Sequence, residues 1–215
     1  TIRLNLSRVK TLLKHSHKMG DIHLSGNIEW PAFKSGTTRI RYLTEDEETA
    51  LLGTISVPDY QRLAEFLIDT GCRPSEVSVT QAVVAKPFEW ADVSKSKDGR
   101  TLVTLWKTKT DTPRTVPLTP RALEALEWSR GEGHQRPFDG IEYQHFKDHV
   151  VQTAMKLQLR DIVVYTFRHT CASRLVQRGA DILRVKEWMG HSNIQTTLGY
   201  AHLAPKDLYS LSDLL

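Results

Sequence analysis

The chain has 215 residues, is 40% apolar and 25% charged, and carries a formal net charge of +4. This composition excludes a disordered or fibrous chain and suits one domain with a sizeable core, or one domain plus part of another. No apolar run approaches membrane-spanning length and no signal-peptide pattern opens the chain. Cys72 and Cys171 make neither a disulfide framework nor a metal-ligand spacing, so a reducing, cytoplasmic compartment is expected.

The charge is unevenly placed. Residues 1–41 hold eight Lys/Arg against two Asp/Glu, a balance of +6, which leaves −2 for the rest. Within that segment, residues 2–18 predict an amphipathic helix, with Ile2, Leu6, Val9, Leu12 and Leu13 near the 3.6-residue period and Arg3, Arg8, Lys10 and Lys14 between them. Gly20 stops it. A single helix cannot bury its own face, so it either docks on the main domain or ends a domain largely absent from this chain. The missing initiator Met agrees with truncation or with processing. Residues 21–41 have no period and read as a basic linker, whose Lys34, Arg39 and Arg41 either follow a phosphate backbone or are solvated.

Thr44-Glu-Asp-Glu47 is a capping box and places a helix start at Thr44. A second helix is expected over 59–70, with Leu63, Phe66 and Leu67 inward and Gly71 at its end. Cys72-Arg73-Pro74-Ser75-Glu76-Val77 then restarts a short helix. Arg73 and Glu76, three residues apart, form either a surface salt bridge or a guanidinium held by a carboxylate and aimed at an anion. Trp90 anchors a short extended piece, and Lys97-Asp98-Gly99 is a turn. Thr101–Trp106 and Arg114–Leu118 have strand character, and the polar tip between them carries Lys107 and Lys109.

Thr119-Pro120 opens a helix to about Ser129, followed by a loop from Gly131 to Gly140. The next helix covers 143–158, with Phe146, Val150, Ala154 and Leu157 inward. Another starts at Thr166 and runs to Gly179, with Ala172, Leu175 and Val176 facing the core. Ile182, Val185, Trp188 and Met189 form the buried side of a helix that stops at Gly190, and Ser192 or Asn193 caps a short helix leading to Tyr200. Leu203, Leu208, Leu211, Leu214 and Leu215 make the tail apolar enough to pack on something. The fold class is therefore mainly α with a small antiparallel β-sheet. Arg168 and His169 at a helix start, His191 after a glycine break and Tyr200 nine residues later resist a purely structural explanation. His169, Cys171, His191 and His202 match no tight zinc-ligand spacing.

In order, Thr70-Gly-Cys-Arg73-Pro-Ser-Glu76, the pair Lys107-Thr-Lys109-Thr and Arg114-Thr-Val-Pro-Leu118, Phe167-Arg168-His169-Thr170, Met189-Gly190-His191-Ser192 and Thr197-Leu-Gly-Tyr200-Ala-His202 resemble the signature of the tyrosine recombinases, the phage integrases and their bacterial relatives. The resemblance covers about 42–205. It implies that family's catalytic-domain fold over 42–202, with residues 1–20 as the last helix of a truncated core-binding domain and 203–215 as a tail that swaps between protomers. It also implies Arg73, Lys109, Arg168 and His191 as catalytic residues, Tyr200 as nucleophile, and Glu76 and His169 in support. Lys107 is the less favoured register for the lysine. The chain departs from the pattern twice. Tyr165 stands where the family usually has His, three residues before the second arginine, and it cannot carry imidazolium charge. Glu76 and Trp90 lie fourteen residues apart, which suggests an inserted or rearranged segment at 78–88.

The implied chemistry suits these residue types. Two guanidiniums can clamp the nonbridging oxygens of a phosphodiester, His191 can add a donor, Tyr200 can attack phosphorus, and Lys109 can protonate the departing 5′ oxygen. No metal, nucleotide or other cofactor is implied, since the arginines supply the charge and the bond energy is kept in a 3′-phosphotyrosine. The implied partners are double-stranded DNA attachment sites, further copies forming a tetramer on DNA, and accessory DNA-bending or excision proteins, in the cytoplasm of a bacterial host near its nucleoid. Two other functions share the features: a catalytically silent DNA-binding module of the same fold, and a type IB topoisomerase.

Overall fold

Local signals set most element boundaries. The computed structural model describes residues 2–23, 30–31, 40–78, 87–106 and 113–205, with side chains from residue 5 onward. It divides into two units, Thr1–Arg39 and Ile40–Leu215. In the first, α1 (Ile2–Met19) is the expected amphipathic helix, and Val9 and Leu12 on its apolar stripe are exposed. Lys10 lies 5.4 Å from the ring centre of Trp30. No helix among the described residues is long and apolar enough to cross a membrane. The linker residues Lys34 and Arg39 lie outside the described residues, as do Lys107, Lys109, most of the 78–88 segment and the tail from 206 on.

The second unit is mainly α-helical with one three-stranded antiparallel sheet. Its first helix, α2 (Glu45–Thr54), opens on the capping box: Thr44 Oγ1 accepts from Glu47 N–H at 3.1 Å, and Glu47 Oε2 accepts from Thr44 N–H at 3.0 Å. Arg41, expected on a phosphate or in solvent, instead grips Glu47 with two N–H donors at 2.8 and 2.6 Å. That pairing holds Glu47 below the usual carboxylate range, the Arg41 hydrogen bond outweighing its partial burial. The acidic first turn of α2 thus has its own cation.

Helix α3 (Pro58–Thr70) is the centre of the core. Leu63, Phe66 and Leu67 are fully buried, at about 1.5–3 kcal/mol each, and α3 packs on the later helices α5 (Pro120–Gly131) and α7 (Val164–Gln177). This anchoring fixes the corner at its C-terminal end, where Gly71 (φ 64°) turns the chain into the short helix α4 (Pro74–Val77). In the sheet, β1 (Val93–Lys95), β2 (Thr101–Leu105) and β3 (Arg114–Pro117) pair in that order, with Val103 opposite both Val93 and Val116. Val103 and Val116 are buried, while Thr104 and Thr115 pair hydroxyls on the other face at 3.3 Å.

The sequence-based expectations differ from the structure in several places. Trp90 begins a 3-10 turn (Trp90–Asp92), in which Asp92 accepts from Glu89 N–H at 2.8 Å, and β1 follows it. Only three residues long and mostly polar, β1 gives no two-residue period to read. Helix α5 continues through Gly131. The next helix, α6 (Tyr143–Lys156), ends two residues early. Helix α7 starts at Val164, not Thr166. Thr166 stands inside the first turn and its hydroxyl accepts from Val163 N–H at 3.0 Å, a side-chain contribution that resembles an N-cap in sequence. Helix α8 (Ile182–Met189) ends at Gly190, and Asn193 caps α9 (Ile194–Leu198) by accepting from Gln195 N–H at 2.9 Å. A second buried cluster joins α7 and α8 to Tyr200: Cys171, Ala172, Val176, Val185 and Met189, with Leu203 packed at its edge.

Candidate active site

Three arginines from distant parts of the chain meet at the C-terminal end of α8. Arg114 donates from Nε to Trp188 O at 3.0 Å, Arg168 from Nη2 to Met189 O, and Arg73 from Nη2 to Gly190 O at 2.9 Å. Those carbonyls are the unpaired, electronegative end of a helix, a favourable place for cations. Arg168 also donates to Gly71 O, so the α3–α4 corner and the end of α8 are held by one guanidinium. Arg73 and Arg168 each commit two of five N–H donors here, which leaves donors for an anion.

Glu76 lies beneath them. It is 2% exposed and accepts from Arg73 N–H and Nη1 at 2.8 Å each, and from Arg114 Nη1 and Nη2 at 2.8 and 2.7 Å. The surface-salt-bridge reading of Arg73 and Glu76 is therefore ruled out. Burial pushes the Glu76 carboxyl upward, but the hydrogen bonds and charges of Arg114 and Arg73 outweigh it and hold it below the ordinary 4.5. Three guanidiniums against one carboxylate leave the cluster positive. Arg168 records that: burial, then Arg73 and Arg114, bring it down to about 10, still cationic at neutral pH.

The αL turn at Gly190 (φ 62°) sends the chain directly into His191. His191 Nδ1 pairs with Thr197 Oγ1 at 2.9 Å, and Thr197 O accepts from Tyr200 N–H at 2.9 Å. Buried Thr197 thus ties His191 to Tyr200. Burial, then the charges of Arg168, Arg73 and Arg114, lower His191 to about 4, so it is neutral at neutral pH. Tyr200 is 3% exposed and its hydroxyl lies 2.6 Å from His169 Nδ1. Burial pushes the phenol up to about 12, with Arg168 opposing. Tyr165 is 45% exposed, and its ring meets that of His169 edge-on at 5.8 Å.

The structure therefore brings Arg73, Glu76, Arg168 and His191 into one cluster and joins Tyr200 to it through Thr197 and through His169, the neighbour of Arg168. Lys109 lies outside the described residues. Sequence reading missed two residues of this arrangement. Arg114 was visible only as part of the Arg-Thr-Val-Pro-Leu strand, and its burial (7% side-chain exposure) depends on a carboxylate 38 residues away. Thr197 stood in a motif with no reason to single it out.

Gly190 gives a direct test of the close packing. A Cβ there would sit 2.9 Å from both Cδ and Nη1 of Arg114, on a backbone with φ 62°. Gly190→Ala is expected to cost about 1–2 kcal/mol from the left-handed backbone alone, plus displacement of Arg114. Denaturant melts check this, and a variant within 0.5 kcal/mol of the parent, as is usual for a neutral surface change, would contradict it.

Known proteins resemble this chain in sequence and in fold. The model of the family described as the phage integrase family matches residues 41–207. The integrase of Haemophilus phage HP1 is 29% identical over 181 residues, covering 83% of this chain and 48% of that protein. The integrase of Escherichia phage 186 is 25% identical over 212 residues, 97% of this chain and 58% of that one. The chain thus spans about half the length of these relatives. Among solved structures, the catalytic domain of the HP1 integrase superposes with a TM-score of 0.60 at 28% identity, over 81% of this chain and 94% of that domain. The XerH recombinase bound to its difH substrate shares the fold at a TM-score of 0.60 and 17% identity, over 86% of this chain and 56% of that one.

Proposed function

The chain belongs to the phage integrase family of tyrosine recombinases, and from that premise we propose that it cleaves and rejoins DNA through a 3′-phosphotyrosyl intermediate at Tyr200, for the integration or excision of a mobile element. The observation that carries the proposal is the meeting of Arg73 and Arg168 on adjacent carbonyls, Gly190 and Met189, beside His191. In this reading the scissile phosphate sits against the two guanidiniums, whose planar forks fit its nonbridging oxygens. Their charge meets the negative charge that grows in the transition state, in a site already organised by backbone carbonyls and Glu76. His191, neutral, adds a hydrogen bond, and Thr197 fixes its ring. Tyr200 attacks phosphorus and the 5′ oxygen leaves with a proton from Lys109. A 5′-hydroxyl from a partner strand reverses the step, so no external energy source is required.

Residues 1–20 are proposed as the end of a preceding DNA-gripping domain, and the tail beyond Leu203, which itself packs on the chain's own core, as a segment that docks on a neighbouring protomer of a DNA-bound tetramer. Accessory DNA-bending or excision proteins belong to the same proposal. Tyr165 occupies the usual histidine position and keeps only a hydroxyl for hydrogen bonding. Tyr165→Phe is expected to reduce cleavage and Tyr165→His to retain or raise it. Equal single-turnover rates for all three proteins would remove this position from the mechanism.

The test of the function is covalent trapping on nicked duplexes in excess chelator. Because guanidinium groups supply the positive charge, a protein–DNA band resistant to denaturation is expected there at undiminished rate. Loss of the band, with recovery only on adding Mg²⁺ or Zn²⁺, would contradict the mechanism.

A further inference from the structure

We propose that His169 takes the phenol proton of Tyr200 during cleavage and returns it during resealing. This rests on Tyr200 being the nucleophile. The geometry is direct: Nδ1 of His169, in the second turn of α7, lies 2.6 Å from the hydroxyl of Tyr200, which follows α9. Among the described residues this is a hydrogen bond of the Tyr200 hydroxyl itself, not of its ring or backbone. The two elements are joined by the buried cluster of Cys171, Ala172, Val185 and Met189, so the pair is fixed by packing and does not depend on two mobile side chains meeting. His191, the other histidine of the site, is engaged through Nδ1 with Thr197 instead.

The proton balance is simple. With the ring proton of His169 on Nε2, Nδ1 accepts the hydrogen of the Tyr200 hydroxyl. The Oη–P bond forms as the Oη–H bond breaks, the P–O5′ bond breaks, and the 5′ oxygen receives its proton from a separate donor. On resealing, a 5′-hydroxyl attacks, the P–Oη bond breaks, and the His169 imidazolium hands its proton back. The electrostatics favour this role. Burial and the adjacent Arg168 lower His169 below its ordinary 6.5, so it is neutral at neutral pH, while Tyr200 needs a base because its phenol is pushed up to about 12. The charged and titratable groups around His169 are Arg168 and Tyr165 on its own helix, Tyr200 after α9, and His191 after α8.

A histidine that merely holds Tyr200 in place would show the same contact, so the test must separate the two roles. The probe is a nicked suicide duplex whose half-site has been selected by covalent capture from duplexes with randomised arms. Single-turnover cleavage is measured from pH 4.5 to 9 with Tyr200 either natural or replaced by the more acidic 3,5-difluorotyrosine. For the parent, the rate is expected to fall as pH drops through the His169 pKa. His169→Gln, which keeps a hydrogen-bonding group, is expected to lose that acid limb and about 100-fold in rate, and the loss should shrink to under about 10-fold with difluorotyrosine, since a more acidic phenol depends less on a base. His169→Ala should behave alike, and thermal melts show whether it folds; if it does not, the Gln variant carries the test. Equal losses with both tyrosines, or an acid limb that persists in His169→Gln, would overturn the proton transfer. An adduct absent from the parent itself would overturn the Tyr200 assignment, a distinct result.

Discussion

Tyr200→Phe is expected to reduce covalent attachment to DNA by at least about 10⁴-fold, to below detection, while DNA affinity changes by less than about 1 kcal/mol. The substitution removes one oxygen, and that oxygen, paired with His169 Nδ1, is the proposed nucleophile. The lost hydrogen bond to His169 is worth about 1 kcal/mol of stability, since the phenol ring stays buried against Met189 and Val185. Gel shifts on the same duplex separate the two effects. A Phe variant that still forms the adduct would show that another residue attacks.

Glu76→Ala is expected to be the most destabilising single change in the site. It leaves Arg73 and Arg114 facing each other across a buried position with their counter-charge gone, an arrangement that costs about 3–5 kcal/mol when one partner of a buried pair is removed. Arg73 then has no carboxylate to fix its second fork, so cleavage should fall with stability. The pH dependence has a defined sign. Glu76 is held below its ordinary 4.5 in the folded protein, so its stabilising contribution is present above that value and is lost as pH falls through the lower folded pKa. Denaturant melts of the parent should therefore weaken below about pH 4.5, and Glu76→Gln should flatten that part of the curve. An Ala variant within about 1 kcal/mol of the parent would show that the ion cluster is not a buried pair of this kind.

The parts of this molecule legible in its sequence were those with local causes. The Thr44–Glu47 capping box, the stop at Gly71 and the stop at Gly190 each depend on a few neighbouring residues, and each is where the sequence placed it. The site was legible in a different way, through the order of its motifs. The clustering of Arg73, Arg168 and His191 follows from three segments that no periodicity connects. What stayed hidden were long-range hydrogen bonds. Arg114 reaches Glu76 and Trp188 O across 38 and 74 residues, and the buried environment that gives it meaning exists only after α8 has docked beside β3. The start of α7 was misplaced because Thr166 resembles an N-cap although its hydroxyl serves the turn from inside. Position 165 was readable as a departure and His169 as a supporting residue, but the reach of the His169 imidazole to Tyr200, from one turn further along α7, is visible only in three dimensions.

The central claim is that Tyr200 forms the covalent bond to DNA. The most direct measurement is protease digestion of the adduct trapped on a nicked duplex, followed by mass spectrometry of the peptide that carries the nucleotide. The account predicts a single modified peptide containing Thr197-Leu-Gly-Tyr200, with the 3′-phosphate on the Tyr200 oxygen. A nucleotide on Tyr165, or on any residue other than Tyr200, would contradict it.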